Sequence, residues 1–319
     1  MKRIAAYFLL ALMIAAFTFV ATASAWGCKG HQTVALIAEK HLTPEAKLFV
    51  EKLLKENPVD PRLNRYCGGA MRDVMADAST WADDVRGERK NGPWHYIDIP
   101  RGAERGPLEP FCGAEGCVTK AIAEQLAILK DKSADATKRA EALRYLIHFV
   151  GDLHQPLHTT TNADEGGNCV PVKYFRRNPH ERNHSYSPNL HNIWDGAILE
   201  RDSEGADPGE YADTLEGLFA GDIEGWQKAG IHVEEWAWEG HEYAETVVYA
   251  NLTPKIAVEP NVPVHACTDD NNIGDRLLHQ NIVAGETYQE KAAPVVEKRI
   301  VQAGVRLALI LNEAAKTTP

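Results

Sequence analysis

Positive charge is scarce in this chain of 319 residues: 34 Lys and Arg stand against 45 Asp and Glu, a formal charge of −11. Such a balance argues against affinity for a phosphate backbone won by broad Lys/Arg neutralisation, the usual route of nucleic-acid binders. If the substrate is an anion, its counter-charge has to come from elsewhere. Long apolar runs are missing after Val20, so no later segment is long enough to cross a bilayer as a helix. There is no C-x-x-C pair, which argues against a thiolate zinc site. An internal repeat, a heptad pattern and a dividing linker are all absent, which excludes a solenoid and a coiled coil and leaves one unit as the simplest organisation. What remains is ordinary globular composition, 44% hydrophobic and 25% charged, with 24 Gly and 17 Pro spread along the chain.

The first 25 residues have their own grammar. Lys2-Arg3, the apolar run Ile4–Val20 and Ala23-Ser24-Ala25 match the charged, apolar and small-residue regions of a secretory signal, with cleavage after Ala25. The product would start at Trp26, hold 294 residues and carry a formal charge of −13, because Lys2 and Arg3 leave with the signal. Two alternatives are an uncleaved membrane anchor and lipidation at Cys28, although Ala25 stands where a lipoprotein signal wants Leu. Export to a secreted or periplasmic location suits the six cysteines, an even set for an oxidising compartment. Cys112 and Cys117 bracket a short Gly-rich loop and are the predicted pair. Cys28, Cys67, Cys169 and Cys267 allow three pairings, and free thiols or ligands near the histidines are the alternatives.

Helical periodicity dominates the rest. Thr43-Pro44 reads as an N-cap followed by Pro at the first helical position, and periodic segments recur at Thr33–His41, Val118–Lys130, Asp135–Leu153, Leu190–Leu199, Glu210–Phe219, Val233–Ala250 and Glu286–Asn312. The expected fold is mainly α, a single multi-helix domain over 26–319 with at most a small β-hairpin. Only Cys169–Phe175 alternates like a strand. Pro294 should kink the last helix or mark its first turn. Arg176–Pro188 reads as an exposed loop in which His180 and His184 are solvated.

Thirteen histidines are the compositional excess, and neutral imidazole is the commonest zinc ligand. His148 and Asp152 lie four apart in an otherwise apolar helical pattern, so both project from one face. His191 and Asp195 repeat the spacing. For either pair alone a buried His–Asp hydrogen bond is the plain alternative, but polar side chains on apolar faces must be paired or bound to metal. With His31, Asp83, His95 and His158 they make eight side chains whose nitrogen and oxygen donors suit zinc. His154 points to a different face and is not expected among them.

The segments WGCKGH at 26–31, STWADDVR at 79–86, WHYIDIP at 94–100, HFVGDLHQPLH at 148–158, GGN at 166–168 and NLHNIWD at 189–195 resemble the zinc-dependent single-strand-specific nucleases, the S-one/P-one nuclease family. The resemblance runs from Trp26 to about Asn312. It implies the mainly α phospholipase C/nuclease fold with three zinc ions in one cleft. By it, Asp83, His95, His148 and Asp152 hold the first, with Asp152 shared as a bridge. The α-amine and carbonyl of Trp26, with His31 and Asp152, hold another, and His158, His191 and Asp195 a more exposed one. An α-amine ligates metal only when it is free, so signal removal would complete the site.

The resemblance also implies catalytic roles for Asp83, Asp152 and Arg86, the last stabilising phosphoryl charge. Asn168 would meet the substrate phosphate, and Tyr96 and Asp98 would stack on a base and read its edge. A surface ion pair for Arg86 and an ordinary core position for Tyr96 are the alternatives. The implied activity is endonucleolytic hydrolysis of single-stranded DNA or RNA to 5′-phosphorylated products by a monomer with no stable membrane association; 3′-nucleotidase activity is left open. Two rivals share the metal cluster, a secreted zinc phospholipase C and a non-catalytic zinc-binding protein. Against the first, Trp26 and His31 have the short nuclease spacing, and Asp195 stands where the lipases carry Glu.

Overall fold

The computed structural model describes residues 26–68, 71–259, 267 and 273–316. The expected signal segment 1–25 lies outside them. Helices form nearly all of the regular structure: α1 (Gly27–Lys40), α2 (Pro44–Glu56), α3 (Val74–Ala78), α4 (Trp81–Arg89), α5 (Val118–Lys130), α6 (Ala136–His154), α7 (Leu190–Asn192), α8 (Ile198–Asp202), α9 (Pro208–Leu218), α10 (Ala220–Ala229), α11 (Val233–Tyr243), α12 (Ile273–Leu278) and α13 (Glu286–Lys316). The mainly α expectation holds.

The caps explain where helices begin. Thr43 accepts from the Ala46 amide with Pro44 in the first turn of α2, and Asp135 accepts from the amides of Thr137 and Lys138 at the start of α6. From Ala142 to His154 every residue of α6 is buried. A helix that is apolar all round belongs in the interior, and α6 packs against α1, α4, α5 and α13. Its C-terminal carbonyls, on Leu153 and His154, accept from the buried guanidinium of Arg299 on α13 at 3.4 and 3.0 Å. That clamp fixes the turn leading from Asp152 to His158.

Several expectations change. Of Cys169–Phe175 only Lys173–Tyr174 is a strand (β1), and it pairs in parallel with Val283–Ala284 (β4). Val170, Val172 and Tyr174 do turn inward, but Pro171 has no amide to give to a ladder. The hairpin lies instead in the segment read as a loop, where His180–Arg182 (β2) pairs with Ser185–Ser187 (β3). Pro294 neither starts nor ends its helix: α13 begins at Glu286 and runs through it. α1 starts six residues before the periodic segment at Thr33, while Leu190–Asp202 and Val233–Tyr249 are interrupted by the π-helical turns Ile193–Ala197 and Ala244–Tyr249. Helices α3 and α12 are too short to show a helical period, and α4 and α10 carry few apolar residues.

Three disulfides form, Cys28–Cys67, Cys112–Cys117 and Cys169–Cys267, which decides the pairing among the four open cysteines and leaves no free thiol. The first ties the opening turn of α1 to the 57–68 loop.

α1 and α13 touch at Gly304. A Cβ there would lie 2.5 Å from Ile37 Cγ2 and 3.0 Å from the Val34 carbonyl oxygen. Because α1 carries His31, this close approach also sets one wall of the site. Gly304→Val should therefore lower stability by about 1–3 kcal/mol through overpacking, read as a fall in the thermal midpoint. An unchanged or raised midpoint would mean that the two helices can separate freely.

Candidate metal centre

Seven elements converge on one buried region. α1 brings His31, α4 brings Asp83, the short 3₁₀ turn Gly92–His95 ends in His95, α6 brings His148 and Asp152, and the turn after α6 brings His158. α7 and the π turn that follows supply His191 and Asp195. Within this region the residues form two donor clusters.

In the first, Asp152 is the hub. Its Oδ1 lies 3.3 Å from His31 Nε2, and its Oδ2 lies 2.9 Å from His95 Nδ1 and 3.3 Å from His148 Nε2. Asp83 Oδ1 stands 3.8 Å from His95 Nδ1 and 3.7 Å from His148 Nε2. The His31 ring stacks on His148 with centroids 3.9 Å apart. Gly151 makes room for it, since a Cβ there would sit 2.9 Å from His31 Nδ1. His31, His95, His148 and Asp152 are all within 1% of complete burial. Burial alone would discourage charge on Asp152, but the imidazoles led by His148 hold its carboxyl well below the usual range. Conversely burial opposes the His148 cation, and Asp152 and Asp83 overcome it, raising His148 to about 9. Burial, then repulsion from His148, pushes His31 down.

The second cluster shows what the donors are for. His158 Nδ1 donates to the His95 carbonyl and His191 Nδ1 to the Gly166 carbonyl, each at 2.7 Å. A carbonyl only accepts, so those ring nitrogens carry the protons and both Nε2 atoms present lone pairs. The two Nε2 atoms nevertheless face each other at 3.2 Å, with Asp195 Oδ2 3.3 Å from His191 Nε2. Burial presses His158 down to about 4 and His191 to about 3, so a proton between them is disfavoured at neutral pH. Two Nε2 lone pairs and a carboxylate oxygen converging on one point fit a cation, and burial by itself pushes the Asp195 carboxyl well above its usual range, so that a proton is the alternative positive charge there. In the first cluster the Nδ1 of His148 likewise donates to the Ser79 carbonyl at 2.7 Å, which turns its Nε2 toward Asp152.

A fixed orientation is built behind these donors. Gln155 Nε2 donates to Asp195 Oδ1 at 2.7 Å while its Oε1 accepts from the Leu157 amide, leaving Asp195 Oδ2 toward His191. Gln155 lay inside the quoted HFVGDLHQPLH motif, yet neither spacing nor charge distinguished it, and its role escaped the sequence reading. The carbonyls of Ser79, His95 and Gly166 were equally silent.

The expected substrate residues lie on segments that adjoin the donors in sequence. The Arg86 guanidinium packs against Gly92, where a Cβ would lie 3.4 Å from Arg86 Nε. Tyr96 and Asp98 line a cavity of about 190 Å³ with Pro93, Phe111 and the 113–116 loop that the Cys112–Cys117 disulfide closes. Burial, then Asp164 and Glu165, push Asp98 up to about 6. Asn168 holds the Glu165 carbonyl through Nδ2 at 3.0 Å. Trp26 is wholly buried, takes a left-handed conformation (φ 30°) and caps α1, its carbonyl accepting from the His31 amide at 3.3 Å.

Other chemically rich groups stand apart. His154 is spent on the Val150 carbonyl and Arg306, and His180 is exposed on the hairpin. Glu165, Cys169 and Cys267 converge, but both sulfurs are in a disulfide and ligate nothing. A larger cleft of about 760 Å³ on the other face of α4, lined by Trp81, Arg89 and Arg144, contains none of the donors.

The S1/P1 nuclease family model matches residues 26–316. Endonuclease 4 of Arabidopsis thaliana is 28% identical over 311 residues, 92% of this chain and 90% of that protein. Nuclease P1 of Penicillium citrinum is 29% identical over 307 residues (90% and 97%), and Nuclease S1 of Aspergillus oryzae 27% over 302 (90% and 91%). A match across nearly all of the described chain, on a mainly α fold that gathers histidines and aspartates into metal-competent clusters, establishes that this chain belongs to the S1/P1 nuclease family and is a phosphodiester-hydrolysing enzyme.

Proposed function

We propose that the enzyme cleaves single-stranded DNA and RNA to 5′-phosphorylated products with three zinc ions, as one domain spanning residues 26–319 that acts after export and cleavage at Ala25/Trp26. The observation that carries the reading is the second cluster, where His158, His191 and Asp195 bring two ring nitrogens and a carboxyl oxygen to one point. A donor set of imidazole nitrogens and carboxylate oxygens favours zinc over calcium or magnesium. Three disulfides support an oxidising compartment, and among the described residues no helix is long and apolar enough to cross a membrane.

The residues divide the work. Asp83, His95, His148 and Asp152 hold one ion, His31 with Asp152 and the freed amine and carbonyl of Trp26 hold a second, and His158, His191 and Asp195 hold a third. Zinc clustered this way supplies a nucleophile at neutral pH, neutralises phosphoryl charge and stabilises a leaving alkoxide. Asp152, with its two oxygens turned to different imidazoles, keeps the first two sites in register. Arg86 donates to the phosphoryl oxygens as charge builds, and Asn168 lines the phosphate path. The Tyr96 ring offers a base a stacking face while Asp98 reads its edge. A base reaches that cavity only by leaving its own stack, which favours single strands over duplex. Three divalent ions add six positive charges where the phosphate binds, so the local field differs from that of the acidic surface.

Turnover of single-stranded DNA should be abolished by a chelator and restored by zinc, with no hydrolysis of phosphatidylcholine in a parallel assay. Lipid hydrolysis without nuclease activity would favour the phospholipase reading, and neither activity in metal-loaded protein would favour a zinc-binding protein.

The cavity generates a pH prediction. Asp98, raised to about 6, is neutral below that value and ionised above it, and only the carboxylate accepts two donors from a base edge. KM for an oligonucleotide should therefore fall as pH rises through about 6, and Asp98→Asn should remove that dependence. Tyr96→Ala should raise KM by an amount equivalent to about 1–3 kcal/mol of lost stacking. A wild-type pH profile in Asp98→Asn, or unchanged KM in Tyr96→Ala, would place the base elsewhere.

A further inference from the structure

The β2–β3 hairpin is a local exception to the charge of the whole chain. Between Lys173 and Ser187 lie Lys173, Arg176, Arg177 and Arg182, against the single carboxylate of Glu181. All four cations are exposed, and among the described residues none makes an ion pair. Elsewhere arginines are commonly tied, as Arg65 is to Asp77 and Asp84, Arg89 to Glu141 and Arg299 to Glu239.

The hairpin is also rooted in the metal centre. Its two legs run side by side from the base, Val172 amide to Pro188 carbonyl and Leu190 amide to Val170 carbonyl, and the base is where the Gly166 carbonyl receives His191 Nδ1. Strand alternation then sorts its faces. Glu181 pairs across from Tyr186, and the Tyr186 ring is buried against Gly274 of α12 with its hydroxyl donating to Asp275 at 2.7 Å. The opposite face therefore presents His180, Arg182, Ser185 and Ser187 outward. It offers the Arg182 guanidinium, an imidazole and two hydroxyls, with Arg176 and Arg177 exposed just before β2, while Tyr174 and Tyr186 are buried and Phe175 lies half-buried under Arg201. A surface without an apolar anchor suits neither membrane insertion nor the centre of a protein interface, whereas polar contacts around unpaired cations suit a phosphate backbone.

We propose that this hairpin is an arm that holds the backbone of a single strand beyond the nucleotides at the metal centre, through Arg176, Arg177 and Arg182. The inference rests on the single-strand nuclease reading above and adds to it a binding surface for long substrates. Such contacts are electrostatic and position the strand without reading its sequence.

The triple variant Arg176→Gln/Arg177→Gln/Arg182→Gln tests it in the zinc-loaded enzyme, with metal content and thermal midpoint as folding checks. Substrates are a dinucleotide and a single-stranded oligonucleotide of about 20 nucleotides, long enough to extend past one groove. The KM for the oligonucleotide should rise about tenfold relative to that for the dinucleotide, with kcat retained, and the slope of log KM against log salt should fall by about 2 for three lost contacts. A net-charge control, Lys52→Gln/Lys132→Gln/Lys138→Gln, removes three exposed cations elsewhere and should leave both quantities unchanged. An unaltered KM ratio and salt slope in the arginine variant, or equal changes in the control, would overturn the arm. Wild-type enzyme that hydrolyses neither substrate would instead overturn the nuclease reading and the arm with it.

Discussion

Imidazoles and carboxylates packed against one another inside a protein are the constraint on which this structure turns. His158 and His191 face each other through lone pairs at 3.2 Å with Asp195 beside them, and around Asp152 three imidazoles crowd a fully buried carboxylate. Burying such groups unpaired costs several kcal/mol each. A positive charge between His158 and His191 turns the repulsion of their lone pairs into attraction. The fold makes sense as a device for holding the donors in place against their mutual repulsion.

Each part of the scaffold serves that end. The buried half of α6 gives His148 and Asp152 a rigid platform, and Arg299 closes the helix end by taking its last carbonyls. Gly151 and Gly304 let α1 come close enough for His31 to lie on His148. Backbone carbonyls of Ser79, His95 and Gly166 each fix the orientation of one imidazole, and Gln155 fixes Asp195. An outer layer of this sort leaves the inner atoms no alternative orientation. Acidity elsewhere on the surface is then compatible with an anionic substrate, because the field that matters is local.

The sequence was legible where side-chain periodicity and chemistry coincide. His148 with Asp152 and His191 with Asp195 stand out because polar residues at helical spacing interrupt apolar faces, and α5 and α6 stand out for the same periodic reason. Asp83 and His95 have no such contrast: α4 is short and His95 ends a single 3₁₀ turn, so residue type brought them into the donor set and the resemblance of their motifs gave them roles. Gln155 and the orienting carbonyls were invisible because hydrogen bonds to backbone follow from tertiary placement. The hairpin escaped because β2 is exposed at every residue, which leaves no hydrophobic alternation to read. Its net positive charge was present in the sequence but became meaningful only when its root was seen on His191.

The central claim, that these acceptors form metal sites completed by the N-terminal residue, is tested most directly by elemental analysis of two purified forms. One begins at Trp26 and the other retains a methionine before it, so that the Trp26 nitrogen is an amide of negligible basicity. The account predicts about three zinc ions per chain in the first form and about two in the second, with the second folded and nearly inactive. Three ions and full turnover in the extended form would show that the terminus is not a ligand, and one ion or none in an active Trp26 form would contradict the cluster itself.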